Sequence, residues 1–226
     1  PFYVGIYEVT QQQYEQVMGA RPWQGKEQTK EGPDYPATDV SHNDAVEFCR
    51  KLSKGEGEGY RLLTEAEWEY SCRAGTTTAY SFGDDDSKLG QYAWYRENAE
   101  DIGEKYAHAV GQKRPNPWGL YDMHADVWEW CQDWHGAYPN SVAVDPIGPS
   151  FGEKRTSRGG SWINDAGSSR AARRGKTEPG GTARHLGFRI ARTCDFAPER
   201  KTPVEATPAP AIAPFDAQVA KQHQER

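Results

Sequence analysis

Between Lys154 and Arg192 the chain carries Arg155, Arg158, Arg170, Arg173, Arg174, Lys176, Arg184, Arg189 and Arg192 against only Asp165 and Glu178. A guanidinium grips a carboxylate or phosphate through two parallel hydrogen bonds. This stretch therefore has the composition of an anion-binding surface, set in a protein whose formal net charge is -6. Trp162, Asn164, Asp165, Arg174, Lys176, Arg184 and His185 are the expected ligand contacts. They suit a polar cleft with Trp162 as its floor, able to take an acidic peptide or a small anion. Arg158, Arg170, Arg173 and Arg189 are expected instead to brace the interior against carboxylates such as Glu65, Glu67 and Glu129.

Other chemistries have less to stand on. Cys49, Cys72, Cys131 and Cys194 lack the paired spacing of zinc or dithiol sites. Buried thiols acting as small apolar groups are the favoured reading, with a disulfide between two of them left open. His42, His108, His124, His135, His185 and His223 form no His-Glu-x-x-His pattern, and no phosphate-cradling glycine loop or serine-centred elbow is present. The acidic balance argues against nucleic acid as a partner. No apolar run approaches the roughly 18 residues of a membrane span. The cellular compartment is not legible.

The elements that must position these groups are short. Phe2 to Thr10 alternates apolar and polar residues as a strand does. Thr10 then caps a helix over Gln11 to Met18, and Ser41 caps another through Leu52, with Ala45, Val46, Phe48, Cys49 and Leu52 as its apolar stripe. Thr64-Glu-Ala-Glu67 is a capping box opening a third helix, with Trp68 and Cys72 on one face. After Gly75, short strands and loops are expected as far as Arg192. Aromatic residues make up 12% of the chain, and each large ring buries roughly 150–250 Å², which offsets a shortage of Leu and Ile. Trp118, Trp128, Trp130 and Trp134 are accordingly expected in the core rather than as a carbohydrate platform.

Residues 1–193 form the expected domain. Residues 194–214 are rich in Pro and Ala and read as an extended linker, and 215–226 as the start of a helix leading to a further module. The chain begins at Pro1, inside the first expected strand, and reads as one unit of a larger polypeptide.

Four segments carry a family resemblance: Tyr60-Arg-Leu-Leu-Thr-Glu-Ala-Glu-Trp-Glu-Tyr70, the Trp-rich run from Asn116 to Trp130, Arg158-Gly-Gly-Ser-Trp162 and Gly187-Phe-Arg189. Together they resemble the formylglycine-generating enzyme family, also called the sulfatase-modifying-factor domain, over about Phe2 to Arg192. The resemblance implies an irregular α+β fold with little regular secondary structure, related to the C-type-lectin fold. It also implies a structural calcium ion held by Asp122, the carbonyls of Ala125 and Val127, and Glu129, an all-oxygen set of the kind calcium prefers. A second calcium site of the family does not align cleanly, and Asn98 and Asp101 are not assigned to it.

The family's enzymes oxidise a substrate cysteine with copper bound by two cysteines after the Gly-Gly-Ser motif. Those positions fall here on Asn164 and Ser169 (or Ser168), neither of which supplies the thiolate that selects Cu(I). The expectation is therefore a noncatalytic binding or regulatory module of a larger bacterial protein, with calcium as its cofactor and copper not expected. The alternative is a metal-dependent oxidase of the formylglycine-generating or iron-dependent sulfoxide synthase type, its missing ligands supplied from elsewhere.

Overall fold

The computed structural model describes residues 1–194, so the expected linker (194–214) and terminal helix (215–226) lie outside it apart from Cys194. Three helices open on reciprocal capping boxes. Thr10 precedes α1 (Gln11–Met18), Ser41 precedes α2 (His42–Glu56) and Thr64 precedes α3 (Glu65–Arg73). In each, the cap hydroxyl accepts the third amide while the third side chain accepts the cap amide, as between Thr64 and Glu67 at 3.1 and 2.9 Å. This satisfies two amides that have no partner inside the helix. The second helix runs a turn beyond its expected end at Leu52. It stops where Gly57 turns left-handed at φ 73° and donates to the Ser53 carbonyl.

The expected strand over Phe2 to Thr10 is shorter, β1 (Phe2–Val4). Beyond Val4 the backbone pairs at single points, Gly5 N–H to the Ile190 carbonyl and Val9 N–H to that of Phe188, both at 2.9 Å. The alternation fails there, leaving Ile6 53% exposed while Glu8 is buried. The remaining strands are β2 (Tyr60–Leu62), β3 (Trp128–Trp134), β4 (Arg155–Arg158), β5 (Arg174–Thr177), β6 (Leu186–Phe188) and β7 (Ile190–Thr193). They form an antiparallel sheet ordered β1-β7-β2 and a second ordered β5-β4-β3-β6, in which β3 and β6 run parallel. Arg189 is the single residue between β6 and β7, so the chain passes from one sheet to the other at that side chain.

Aromatic rings fill the interior. Tyr14 stacks on Phe48 at 5.7 Å, Phe48 meets Phe188 edge-on at 5.2 Å, and Trp23 and Trp130 complete that cluster. A neighbouring cluster packs Trp68 and Cys72 from α3 against Leu120, Met123 and Cys131. All four cysteines are free thiols, three of them buried. Trp130 is buried as expected. Trp118 is not: it is 46% exposed, edge-on to Tyr70 at 4.8 Å, because Asn116 ties its turn to the end of α3 through the Ser71 and Cys72 carbonyls. Among the described residues no helix is long and apolar enough to cross a membrane.

Candidate functional site

The loop after β4 begins with Gly159 and Gly160 at φ 104° and 84°. A Cβ on Gly160 would sit 2.9 Å from the Ser168 carbonyl oxygen, so both conformation and space demand glycine. The turn sends Trp162 inward, where its amide donates to the Asp126 carbonyl at 2.9 Å and its ring is fully buried beside Ala99, Ala107 and Val127. Asn164 Oδ1 accepts from Trp128 Nε1 at 2.9 Å and from Ser161 Oγ at 2.6 Å. Asp165 caps the short turn Ala166–Ser169 by accepting from Ser168 N. Ser169 is buried, and its hydroxyl donates to the Asp165 carbonyl at 3.3 Å. Both positions that the family resemblance gives to copper thiolates therefore hold oxygen side chains already committed to hydrogen bonds within the loop.

The expected ligand residues divide into two groups. Trp162, Asn164, Asp165, Arg184 and His185 lie around the start of β3: Arg184 stands 5.8 Å over the Trp162 ring, and the His185 carbonyl accepts from Trp128 N. Buried Trp162 cannot be the open floor expected of it. Burial and the neighbouring Arg184 lower the pKa of His185, which favours its neutral form. Arg174 is elsewhere and already occupied, donating to both Glu65 oxygens at 2.6 and 2.7 Å and to the Gly136 carbonyl at 2.7 Å. Its neighbour Arg173, expected to brace the core, is exposed. The reversal follows from strand parity: Arg174 pairs directly with Arg158 across β4 and β5, so both side chains turn to the same face, where Glu65 lies. Lys176 is exposed further along β5.

Two of the expected core arginines do brace carboxylates. Arg158 is fully buried, bridging Glu65 at 3.1 Å and Glu69, and donating to the Ala171 and Arg173 carbonyls at 2.8 Å. Arg189, also fully buried, forks onto Glu129 at 2.9 Å and donates to the Gly5 and Tyr121 carbonyls at 2.9 and 2.8 Å. Glu67 instead pairs with Arg61 at 2.6 Å. Arg96 was not legible as a site residue. Its backbone amide donates to the Asn164 carbonyl and its Nε to that of Ile163, which places an exposed cation on the loop.

Around Arg189 the charge does not balance. Glu8, Asp122, Asp126 and Glu129 are all buried. Glu129 is satisfied by Arg189 and by Trp68 Nε1 at 2.8 Å. Asp122 accepts from Gly111 N at 2.7 Å and Asp126 from His108 N at 2.8 Å, but each keeps one oxygen without a hydrogen-bond partner, as do both oxygens of Glu8, which Arg189 approaches only to 3.7 Å. Burial and then the Asp126 charge push the Asp122 carboxyl up to about 7. Asp122, Ala125 and Asp126 also have positive φ, at 60°, 133° and 88°, a strained backbone of the sort found where carbonyls are turned toward a ligand. An unpartnered buried oxygen on Asp122 beside surplus negative charge fits a hard cation. Glu129, the fourth implied ligand, already accepts bonds on both oxygens. Among the described residues no three His, Cys, Asp or Glu side chains converge as a metal-binding group, though the expected site asks for two side chains with two carbonyls.

Comparison with known proteins agrees with this architecture. Residues 1–194 match the sulfatase-modifying factor enzyme 1-like domain, and the chain belongs to that family. It is 36% identical over 177 residues to the formylglycine-generating enzyme of Streptomyces coelicolor, covering 73% of this chain and 54% of that protein. The chain thus spans about half the length of that enzyme. It is also 34% identical over 139 residues to the protein of Chlamydia pneumoniae named serine/threonine-protein kinase pkn1, covering 59% of this chain and 21% of that one. Among solved structures it is similar to Treponema denticola variable protein 1, with TM-score 0.77, 30% identity and 84% of each chain covered. It is likewise similar to PvdO from Pseudomonas aeruginosa, with TM-score 0.75, 31% identity and 86% and 81% of the two chains covered. The M1 variant of the Major Tropism Determinant, at TM-score 0.51 and 14% identity over 84% of this chain and 50% of that one, shares the fold alone. The fold is the irregular α+β sulfatase-modifying-factor fold, related to the C-type-lectin fold.

Proposed function

We propose that this domain is a noncatalytic binding or regulatory module of a larger bacterial protein. The observation that carries the reading is the state of Asn164 and Ser169. At the positions where the family's enzymes hold copper, both present oxygens tied into the loop, and soft thiolate ligation is what Cu(I) requires. An oxidase would need ligands that this loop does not supply. The exposed cations Arg96, Arg173 and Arg184 lie beside that loop, with Lys176 exposed further along β5, and an acidic peptide or small anion is the ligand class they suit. The similarity to part of a much longer protein with a kinase name supports a modular role.

The test is incubation of a Cys-x-Pro-x-Arg peptide with this protein, calcium, copper and oxygen, followed by mass spectrometry. An unchanged peptide is expected, and conversion of its cysteine to an aldehyde overturns the reading. Calcium belongs to the same proposal, held by Asp122, Glu129 and the carbonyls of Ala125 and Val127. When bound it supplies the positive charge that the buried carboxylates lack. A ligand that binds only the folded state at 100 times its Kd stabilises it by about 2.7 kcal/mol. Thermal melts should therefore rise with added calcium in the native chain but not in Asp122→Ala, and equal melts with calcium and with chelator would remove calcium from the proposal.

A further inference from the structure

On a different face, a cavity of about 340 Å³ opens between the start of α3, the end of β3 and the 136–149 loop. That volume lies at the lower end of the range for small-molecule sites, roughly 300–1,000 Å³. Its walls are apolar, built from Ala66, Ala137, Pro139, Ala143, Pro146 and Ile147, and its polar groups are Glu65, Asp133, Tyr138 and Arg174.

Three of these polar groups are spent on one another. Glu65 receives Arg174 through both oxygens, Arg158 at 3.1 Å and the Tyr138 hydroxyl at 3.2 Å. Arg174 directs its Nη1 to the Gly136 carbonyl and lies 4.2 Å over the Tyr138 ring.

Asp133 differs. It is 3% exposed, its Oδ2 accepts the Glu65 amide at 2.8 Å, and among the described residues no cation lies within ion-pairing distance of it. Arg155 on β4, a neighbouring cation, is turned away, stacked 3.5 Å over Trp134 and donating to the Gln132 carbonyl. Glu65 and Glu67 on α3 act on Asp133 with like charge. The cavity therefore ends in a buried carboxyl that no cation touches, Arg155 acting on it only from a distance, beneath walls of apolar side chains. A buried carboxyl in that position either stays protonated or takes up a charged partner.

We propose that this cavity binds a primary ammonium group carried on a compact apolar body, with Asp133 receiving the ammonium and the proline and alanine walls enclosing the rest. The site is separate from the basic loop of the proposed function and selects the opposite charge. Burial and the two glutamates hold the Asp133 carboxyl up at about 7. Its ionised fraction then rises from roughly one tenth at pH 6 to roughly nine tenths at pH 8, and amine affinity should rise about ten-fold over the same interval.

The test is calorimetric titration of the whole chain with cyclohexylmethylamine and with its neutral isostere cyclohexylmethanol at pH 8. The amine is expected to bind about ten-fold more tightly or better, the difference one charge-assisted contact makes. Asp133→Asn keeps an acceptor for the Glu65 amide but removes the charge, and should bring the amine down to the alcohol. Ala143→Trp fills the cavity from its wall while leaving residue 133 unchanged, and should abolish binding of both compounds even if the Asn variant folds poorly. Equal affinities for amine and alcohol, an amine preference that survives Asp133→Asn, or no amine binding to the native chain at millimolar concentration would each overturn the proposal.

Discussion

Arg189→Met is the substitution with the largest expected consequence. The Arg189 side chain is fully buried, holds Glu129 at 2.9 Å, lies 3.7 Å from Glu8 and donates to the Gly5 and Tyr121 carbonyls. Methionine approximates its volume, so packing changes little and the loss is electrostatic. Removing one partner of a buried pair costs about 3–5 kcal/mol, and two carbonyls left without donors add to this at about 1–3 kcal/mol each unless water reaches them. A loss of about 4 kcal/mol or more is expected. In a domain of this size that lowers Tm by roughly 10 °C. Urea unfolding followed by tryptophan fluorescence measures it, and Glu129→Gln completes a double-mutant cycle. Because the two residues touch, the effects should be coupled by about 0.5–3 kcal/mol. A loss below about 1 kcal/mol, or strict additivity with Glu129→Gln, would refute the view that this pair carries the junction between the sheets.

Two further outcomes are expected. Gly160→Ala forces a side chain into φ 84° with its Cβ 2.9 Å from the Ser168 carbonyl, whereas Gly180→Ala meets nothing within 4 Å at an ordinary φ. The first should cost more than about 2 kcal/mol and the second less than about 0.5; similar losses in denaturant titrations would contradict the loop geometry. His124 accepts from Ser81 N through Nε2 at 2.9 Å and contacts the Ser169 carbonyl through Nδ1 at 3.0 Å, and burial pushes its pKa down to about 4. The unfolded chain binds that proton near pH 6.5, so the stability contributed is present above about pH 6.5 and is lost as pH falls toward 4. Unfolding free energies measured across that window should fall with acid, and His124→Gln should flatten the slope. An unchanged slope in the variant would show that His124 does not titrate as described.

Local chemistry was readable from the chain alone wherever a few neighbouring residues suffice. Thr10, Ser41 and Thr64 start their helices because cap and third residue satisfy each other within four positions. The course of Trp162 was not readable in this way: expected as the floor of an open cleft, it is fully buried, because the Gly159–Gly160 turn carries it inward. Strands were less legible. The β1 pattern suggested nine residues and the sheet kept three, because pairing past Val4 depends on where Ile190 and Phe188 arrive from the far end of the chain.

The site divided along the same line. Residue types alone showed that Asn164 and Ser169 cannot act as thiolates and that arginines crowd the last third of the domain. Which arginine is spent and which is free was a matter of strand parity: Arg174, opposite Arg158, turns onto Glu65, while Arg173 faces out. The cavity at Asp133 has no local signature, since its walls come from three segments that only the fold brings together. Side-chain identity and short-range hydrogen bonding are properties of the sequence. The partner of a buried charge is a property of the packed chain, because desolvation and Coulomb attraction act between groups that can lie 109 positions apart, as do Glu65 and Arg174.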